Sequence, residues 1–221
     1  MPYLLTAATD FEMQAYLDAG GDVIHTRRLV TGIGPVETTL SLSCLLQNRE
    51  AVVDGVLNFG VAGAYPENGI DLQAGLLDIC LAEQEILGDF GICTLNGIER
   101  FTSPDLQVED SFVLDQSLLT AAEKALDETG ISCKIGTFVT VSCASGTYQR
   151  GQMLGREFHA LCENMEGAAV ARVCRQFALP CLEVRSISNM VEDRNPKNWQ
   201  LKQACAGAGR AAAAIIKSLE P

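Results

Sequence analysis

Glu163-Asn-Met-Glu-Gly-Ala-Ala-Val-Ala-Arg-Val-Cys-Arg-Gln-Phe-Ala-Leu-Pro-Cys-Leu-Glu-Val-Arg-Ser-Ile-Ser-Asn189 carries the fold class. Gly167, Ala168, Ala169 and Ala171 are small residues that let a helix lie close on a sheet, and the helix should run to about Phe177. Leu179-Pro180 breaks it, because the residue before a proline is pushed out of the α region. Cys181 to Ser188 then reads as a strand, and helix, break and strand in close succession is the unit of an α/β sheet.

The same alternation extends outward. Pro2 to Ala7 reads as a strand, and Phe11, Ala15 and Tyr16 space a helix that ends near Gly20-Gly21. Val23 to Val30 reads as a strand, and Thr31-Gly-Ile-Gly-Pro35 is a turn opening a helix through Gln47, with proline where its missing N–H costs little. Val52 to Phe59 is the most apolar strand. It runs into Gly60-Val-Ala-Gly63, read as a glycine-rich turn where a ligand can approach the backbone. Leu76 to Leu87 and Phe138 to Ser142 are further strands. Apolar residues at 114, 118, 119, 122 and 126 make Ser111 to Thr129 a helix stopped by Gly130, and Trp199 to Leu219 is a C-terminal helix with an Ala-rich face. The sheet should therefore be covered on both sides.

A length of 221 residues suits one domain, and no linker divides it. Sixteen basic against 28 acidic residues give a net charge of −12, so no general attraction to nucleic acid or anionic lipid is expected. The N-terminal stretch has no basic region before Asp10, and the uncharged run from Ile135 to Gln149 is too short and polar to span a bilayer. A soluble cytoplasmic protein is expected. The nine cysteines form no CxxC pair and read as small buried hydrophobes in a reducing compartment. His25 and His159 read as surface or core histidines, so no metal is expected, and no cofactor is expected either.

Glu12, Glu166 and Asn189 fall at strand-to-helix junctions, which converge at one edge of an α/β sheet. Two carboxylates in one pocket can divide their roles, one activating water and the other holding hydroxyls. Plain structural readings stand beside these. Glu12 and Glu166 also suit the first turn of a helix, Asn189 suits a turn after a strand, and Gly60 and Gly63 suit turns in general.

Glu163-Asn-Met-Glu-Gly-Ala-Ala-Val-Ala171, followed by Val184-Arg-Ser-Ile-Ser-Asn189, resembles the nucleoside phosphorylase and nucleosidase superfamily. Thr31-Gly-Ile-Gly34 and Gly60-Val-Ala-Gly63 extend the resemblance over nearly the whole chain. It implies a three-layer αβα single domain, residues 1–221, with a mixed central sheet, and a homo-oligomer acting on a small-molecule nucleoside. Hexameric phosphorylases of that superfamily carry an Arg in the turn equivalent to Asn58 and a Gly-Asp-x-x-Arg stretch after the first strand. Here Leu57-Asn-Phe-Gly60 and Ala8-Thr-Asp-Phe-Glu12 stand instead, so a phosphate dianion lacks its charge-assisted partners and water is the expected nucleophile.

The resemblance assigns Glu12 to water activation and Glu166 to the ribose 2′ and 3′ hydroxyls. Met165 would lie along the sugar, although a core Met is an equal reading, and Ala62, Gly63, Asn164 and Ser188 would border the substrate. Nucleosidases acting on methylthioadenosine and adenosylhomocysteine have Ser-Asp where this chain has Ser188-Asn189. An amide NH2 donates to N7 and to a 6-oxo group, whereas a carboxylate would face O6 with acceptors on both sides. Hypoxanthine or guanine is thus the expected leaving group. The combination is similar to the futalosine-hydrolysing branch, whose Arg-Asp pattern is reversed here as Asp193-Arg194. Arg194, Lys197 and Trp199 are candidates for the carboxyphenyl end of such a substrate, beside the plainer reading of a surface loop with two solvated charges and a helix-start Trp. An adenine-releasing nucleosidase, a phosphorylase and a non-catalytic nucleoside sensor remain the alternatives.

Overall fold

The computed structural model describes residues 2–21, 24, 26–48, 52–94, 97–106 and 108–219. Along them lie β1 Leu4–Ala7, α1 Asp10–Asp18, β2 Arg27–Val30, α2 Pro35–Gln47, β3 Val56–Ala64, β4 Ile79–Leu87, β5 Ile92–Thr94, β6 Gly97–Glu99, β7 Ser111–Val113, α3 Gln116–Glu128, β8 Cys133–Thr140, α4 Tyr148–Phe158, β9 Ala160–Asn164, α5 Gly167–Gln176, β10 Cys181–Met190 and α6 Leu201–Leu219. None of these helices is long and apolar enough to cross a membrane.

Eight strands make one mixed sheet in the order β10-β4-β8-β9-β3-β1-β2, with β7 paired to β4 and β3 paired also to β10. β1, β2, β3 and β10 run parallel, and β4, β8 and β9 run the other way. Because β3 pairs with both β9 and β10, the sheet curls, and the carboxyl ends of β1, β3, β8, β9 and β10 border one cavity. The three layers expected from the resemblance are present. Helices α1, α3 and α6 pack together over one face around Leu5, Leu57, Phe59, Leu182, Val184 and Ile215. Helices α2 and α5 cover the other face around Leu4, Leu42, Val56, Phe138 and Val170. Each Leu or Phe so buried stabilises the fold by about 1.5–3 kcal/mol relative to exposure.

The local starts of the helices follow from their residues. Thr9 and Glu12 form a reciprocal capping box at α1, each satisfying a backbone N–H of the other's end. Pro35 stands in the first turn of α2, after Gly34 at a positive φ of 90°. Asp115 caps α3 by accepting from the Ser117 and Leu118 N–H groups.

Three expectations need correction. Gly60-Val-Ala-Gly63 is no turn, since β3 continues through it to Ala64, and Asn58 lies buried in the same strand with Oδ1 accepting from the Thr6 hydroxyl at 3.0 Å. The glycines mark close approach by other side chains, a signal that looks the same as a turn in the sequence. Ser111–Val113 is a strand, and the helix begins only at Gln116, because β4 offers Ser111–Val113 a pairing edge. Cys44, Cys93 and Cys143 are exposed and Cys133 is half-buried, while the other five are buried. Cys44 is on α2, Cys93 on the β5–β6 hairpin and Cys143 in the loop after β8, where the side chain stays in contact with solvent. Helix α4, strand β9 and the β5–β6 hairpin had no counterpart in the sequence reading. His159 ends α4 in the left-handed conformation, its ring Nδ1 3.1 Å from the Asn68 carbonyl oxygen. Val23 and His25 lie outside the described residues.

Candidate active site

The cavity at the strand ends has a volume of about 530 Å³, within the usual range for small-molecule sites. Glu12, Ala62, Gly63, Asn164, Met165, Glu166, Ser188, Asn189 and Trp199 all line it, so the structure gathers residues from five segments of the chain. Arg194 and Lys197 are exposed and are not part of the lining. The Arg194 guanidinium instead stands 5.6 Å from the Trp199 ring centre, a cation–π contact outside the cavity.

Glu12 is 6% exposed. Its Oε2 accepts from the Thr9 N–H at 3.1 Å and the Thr9 hydroxyl at 2.8 Å, and its Oε1 accepts from the Val61 N–H at 3.1 Å. Its role as the acid of a capping box and its place in the cavity therefore coincide. Glu166 is the N-cap residue of α5 but makes no cap with its side chain. Its carboxylate turns away instead, Oε1 accepting from the Gly34 N–H at 3.0 Å and Oε2 from Arg185 Nη2 at 3.2 Å.

Arg185 is the residue that sequence reasoning left without a role. It is 1% exposed, donates from Nε to Glu183 at 2.8 Å, and donates from Nη1 to the Val61 carbonyl at 3.2 Å. Glu183 and Arg185 at alternate positions of the strand Cys181–Ser188 were the available signal, because a buried charge has to be paired. Gly60 is what lets the groups meet. A Cβ there would lie 2.5 Å from Glu12 Oε1 and 2.8 Å from Arg185 Nη1.

Beneath these groups lies a second pair of carboxyls. Glu85 is fully buried and accepts from the Thr140 hydroxyl at 2.7 Å and from the Asn164 amide. Burial, and next the charge of Glu183, push the Glu85 carboxyl well above its ordinary value. Glu183 is also raised by burial, against which Arg185 pulls it down. Asn164 belongs to this support: its Oδ1 accepts from the Glu166 and Gly167 N–H groups at 2.9 and 2.7 Å.

At the other end of the cavity Ser188 donates its hydroxyl to Asn189 Oδ1 at 2.9 Å, and Asn189 Nδ2 donates to the Met190 carbonyl at 3.2 Å. A bulge in the β10–β3 register between Ile187 and Asn189 re-aims this residue. Glu163 also lines the cavity. Burial raises its carboxyl, while the Ser145 hydroxyl and N–H hold it down. Among the described residues, no cluster of three or more His, Cys, Asp and Glu is placed to hold a metal.

An αβα sandwich with a cavity at the ends of its central strands, floored by carboxylates and one paired arginine, defines a small-molecule enzyme class. The chain belongs to the phosphorylase superfamily, whose family profile matches residues 11–219, and it falls with that superfamily's nucleosidases. It is similar to the futalosine hydrolase of Thermus thermophilus, 29% identical over 85% of this chain and 80% of that protein. It is also similar to the 5′-methylthioadenosine/S-adenosylhomocysteine nucleosidase of Shewanella denitrificans, 30% identical over 82% of this chain and 74% of that protein. A solved structure of a futalosine hydrolase mutant of Helicobacter pylori superposes with a TM-score of 0.84 at 23% identity, covering 99% of this chain and 100% of that one.

Proposed function

We propose that this protein hydrolyses the N-glycosidic bond of a 6-oxopurine nucleoside, with futalosine as substrate and hypoxanthine and dehypoxanthinyl futalosine as products. The observation that carries this reading is the Asn189 amide, oriented by Ser188 so that an N–H donor rather than a carboxylate oxygen meets the base. Nδ2 gives one hydrogen to the Met190 carbonyl, and the other can be shared between N7 and O6 of hypoxanthine, a contact that strengthens as negative charge builds on the departing base.

Glu12 takes a proton from the attacking water, whose oxygen bonds to C1′ as the C1′–N9 bond breaks and the base leaves with the electron pair. Glu166 accepts from the ribose hydroxyls, and its orientation is held by Gly34 and Arg185. The carboxylates stabilise the oxocarbenium-like sugar more than the neutral ground state. Water as nucleophile is supported by the charges of the lining: Glu12, Glu163 and Glu166 face a single cation, Arg185, already engaged by Glu166 and Glu183. A phosphate dianion would enter against three carboxylates.

The second reading is an adenine-releasing nucleosidase, supported by relatives of that name. Product chromatography after separate incubations with futalosine, inosine and methylthioadenosine, each with and without phosphate, tests both. Hypoxanthine from futalosine without phosphate is expected. Faster adenine release from methylthioadenosine would overturn the base assignment, and turnover that depends on phosphate would overturn hydrolysis.

A further inference from the structure

Three neighbouring strands place Glu163, Gly63 and Asn189 in one cross-strand row. Gly63 is the register partner of Glu163 on β9 and of Asn189 on β10. Residues in one row of a sheet share a face, so both side chains flank the gap that Gly63 leaves. A Cβ at position 63 would lie 3.1 Å from Asn189 Nδ2 and 3.7 Å from Glu163 Cγ. The missing side chain thus keeps open a slot with an amide at one side and a carboxyl at the other, and all three residues line the cavity.

The hydrogen bonds around the slot fix what each side offers. Glu163 Oε1 accepts from the Ser145 N–H at 2.7 Å and Oε2 from the Ser145 hydroxyl at 2.6 Å. Arg150 Nε holds that hydroxyl in turn, at 3.2 Å. Two donors on the carboxyl leave its remaining lone pairs as acceptors. Asn189 Nδ2 gives one hydrogen to the Met190 carbonyl at 3.2 Å, leaving the second free. The slot is therefore a donor and an acceptor on opposite sides of Gly63.

A 6-oxopurine presents acceptors at N7 and O6 and then a donor at N1–H. A 6-aminopurine presents an acceptor at N1, which would face the carboxylate lone pairs. We infer that Glu163, held by Ser145, is a specificity-determining residue that accepts a hydrogen bond from N1–H of the departing base. The inference rests on the 6-oxopurine reading above. It assigns to Glu163 the discrimination at N1, and leaves to Asn189 that at N7 and O6.

The test is competitive inhibition by hypoxanthine, 1-methylhypoxanthine and adenine, measured on the wild type, Glu163→Gln and Ser145→Ala. In the wild type, 1-methylhypoxanthine should bind about 10- to 100-fold more weakly than hypoxanthine, since it sets a methyl group against the carboxylate in place of the N1–H donor. In Glu163→Gln that ratio should fall at least about tenfold, chiefly through weaker hypoxanthine binding. Ser145→Ala, which removes the hydroxyl bond to Oε2 and keeps the N–H bond to Oε1, loosens the carboxylate, should lower the ratio several-fold and serves if the first variant does not fold. An unchanged ratio in either folded variant would assign Glu163 only to anchoring the Ser145 segment and overturn the inference. A wild type that prefers adenine to hypoxanthine would instead remove the 6-oxopurine reading, and that outcome is visible without any variant.

Discussion

Replacing Arg185 with Met leaves Glu166, Glu183 and the adjacent Glu85 in the interior without their cation. The guanidinium sits 2.8 Å from Glu183 and 3.2 Å from Glu166, with side-chain exposures of 1–5% throughout, so water cannot screen the loss. Removing one partner of such a buried pair costs about 3–5 kcal/mol. For a domain of this length that corresponds to a melting temperature lower by roughly 6–20 °C. The cost should also depend on pH, and its sign follows from the raised carboxyls. Burial holds Glu85 and Glu183 above their unfolded value of 4.5, so their contribution is fully present below that value and is lost as pH rises through the folded values. Arg185 lowers both, so its removal should enlarge the loss. Urea unfolding of wild type and Arg185→Met at pH 5.5 and pH 8 measures this, and the difference should be larger at pH 8. A difference below about 1 kcal/mol, or one equal at the two pH values, would refute the assignment of Arg185 as the neutralising centre of the network.

Gly60→Ala should cut turnover by at least about tenfold, since its methyl meets Glu12 Oε1 and Arg185 Nη1, while calorimetry shows a smaller loss of stability than Arg185→Met. Glu12→Gln should lower kcat on the order of 10²–10³-fold. Its ligand binding should persist, as read from the fluorescence of Trp199, the single tryptophan, which lines the cavity. If binding is lost as well, Glu12 holds substrate rather than water. Asn189→Asp should shift preference from hypoxanthine toward adenine release, by about 10-fold or more in the ratio of kcat/KM. An unchanged ratio would place base selection elsewhere.

Glu12, Glu166 and Asn189 were legible because each follows a recognisable strand or ends one, and strand ends meet in this fold class. Helix α5 and strand β10 were legible for similar reasons: small residues after Glu166 and the Leu179-Pro180 break are local signals. Arg185 and Glu163 lacked tasks in the sequence because, apart from Glu183 beside Arg185, their partners Glu166, Val61 and Ser145 lie on other elements. Helix α4 escaped for a different reason. Its Tyr148–Phe158 stretch is polar on balance, and two of the three residues it buries are Gly151 and Gly155, so few apolar side chains mark the buried face.

By itself the sequence determined the layered α/β class, most element types, and the choice of an amide over a carboxylate at position 189, because propensity, capping and side-chain chemistry are local properties. Only the tertiary structure decided that Gly60 and Gly63 belong to a strand rather than a turn. Glycine marks either situation, and what distinguishes them is whether a distant side chain occupies the space of the missing Cβ. At Gly60 that space is taken by Glu12 and Arg185. At Gly63 it lies between Glu163 and Asn189.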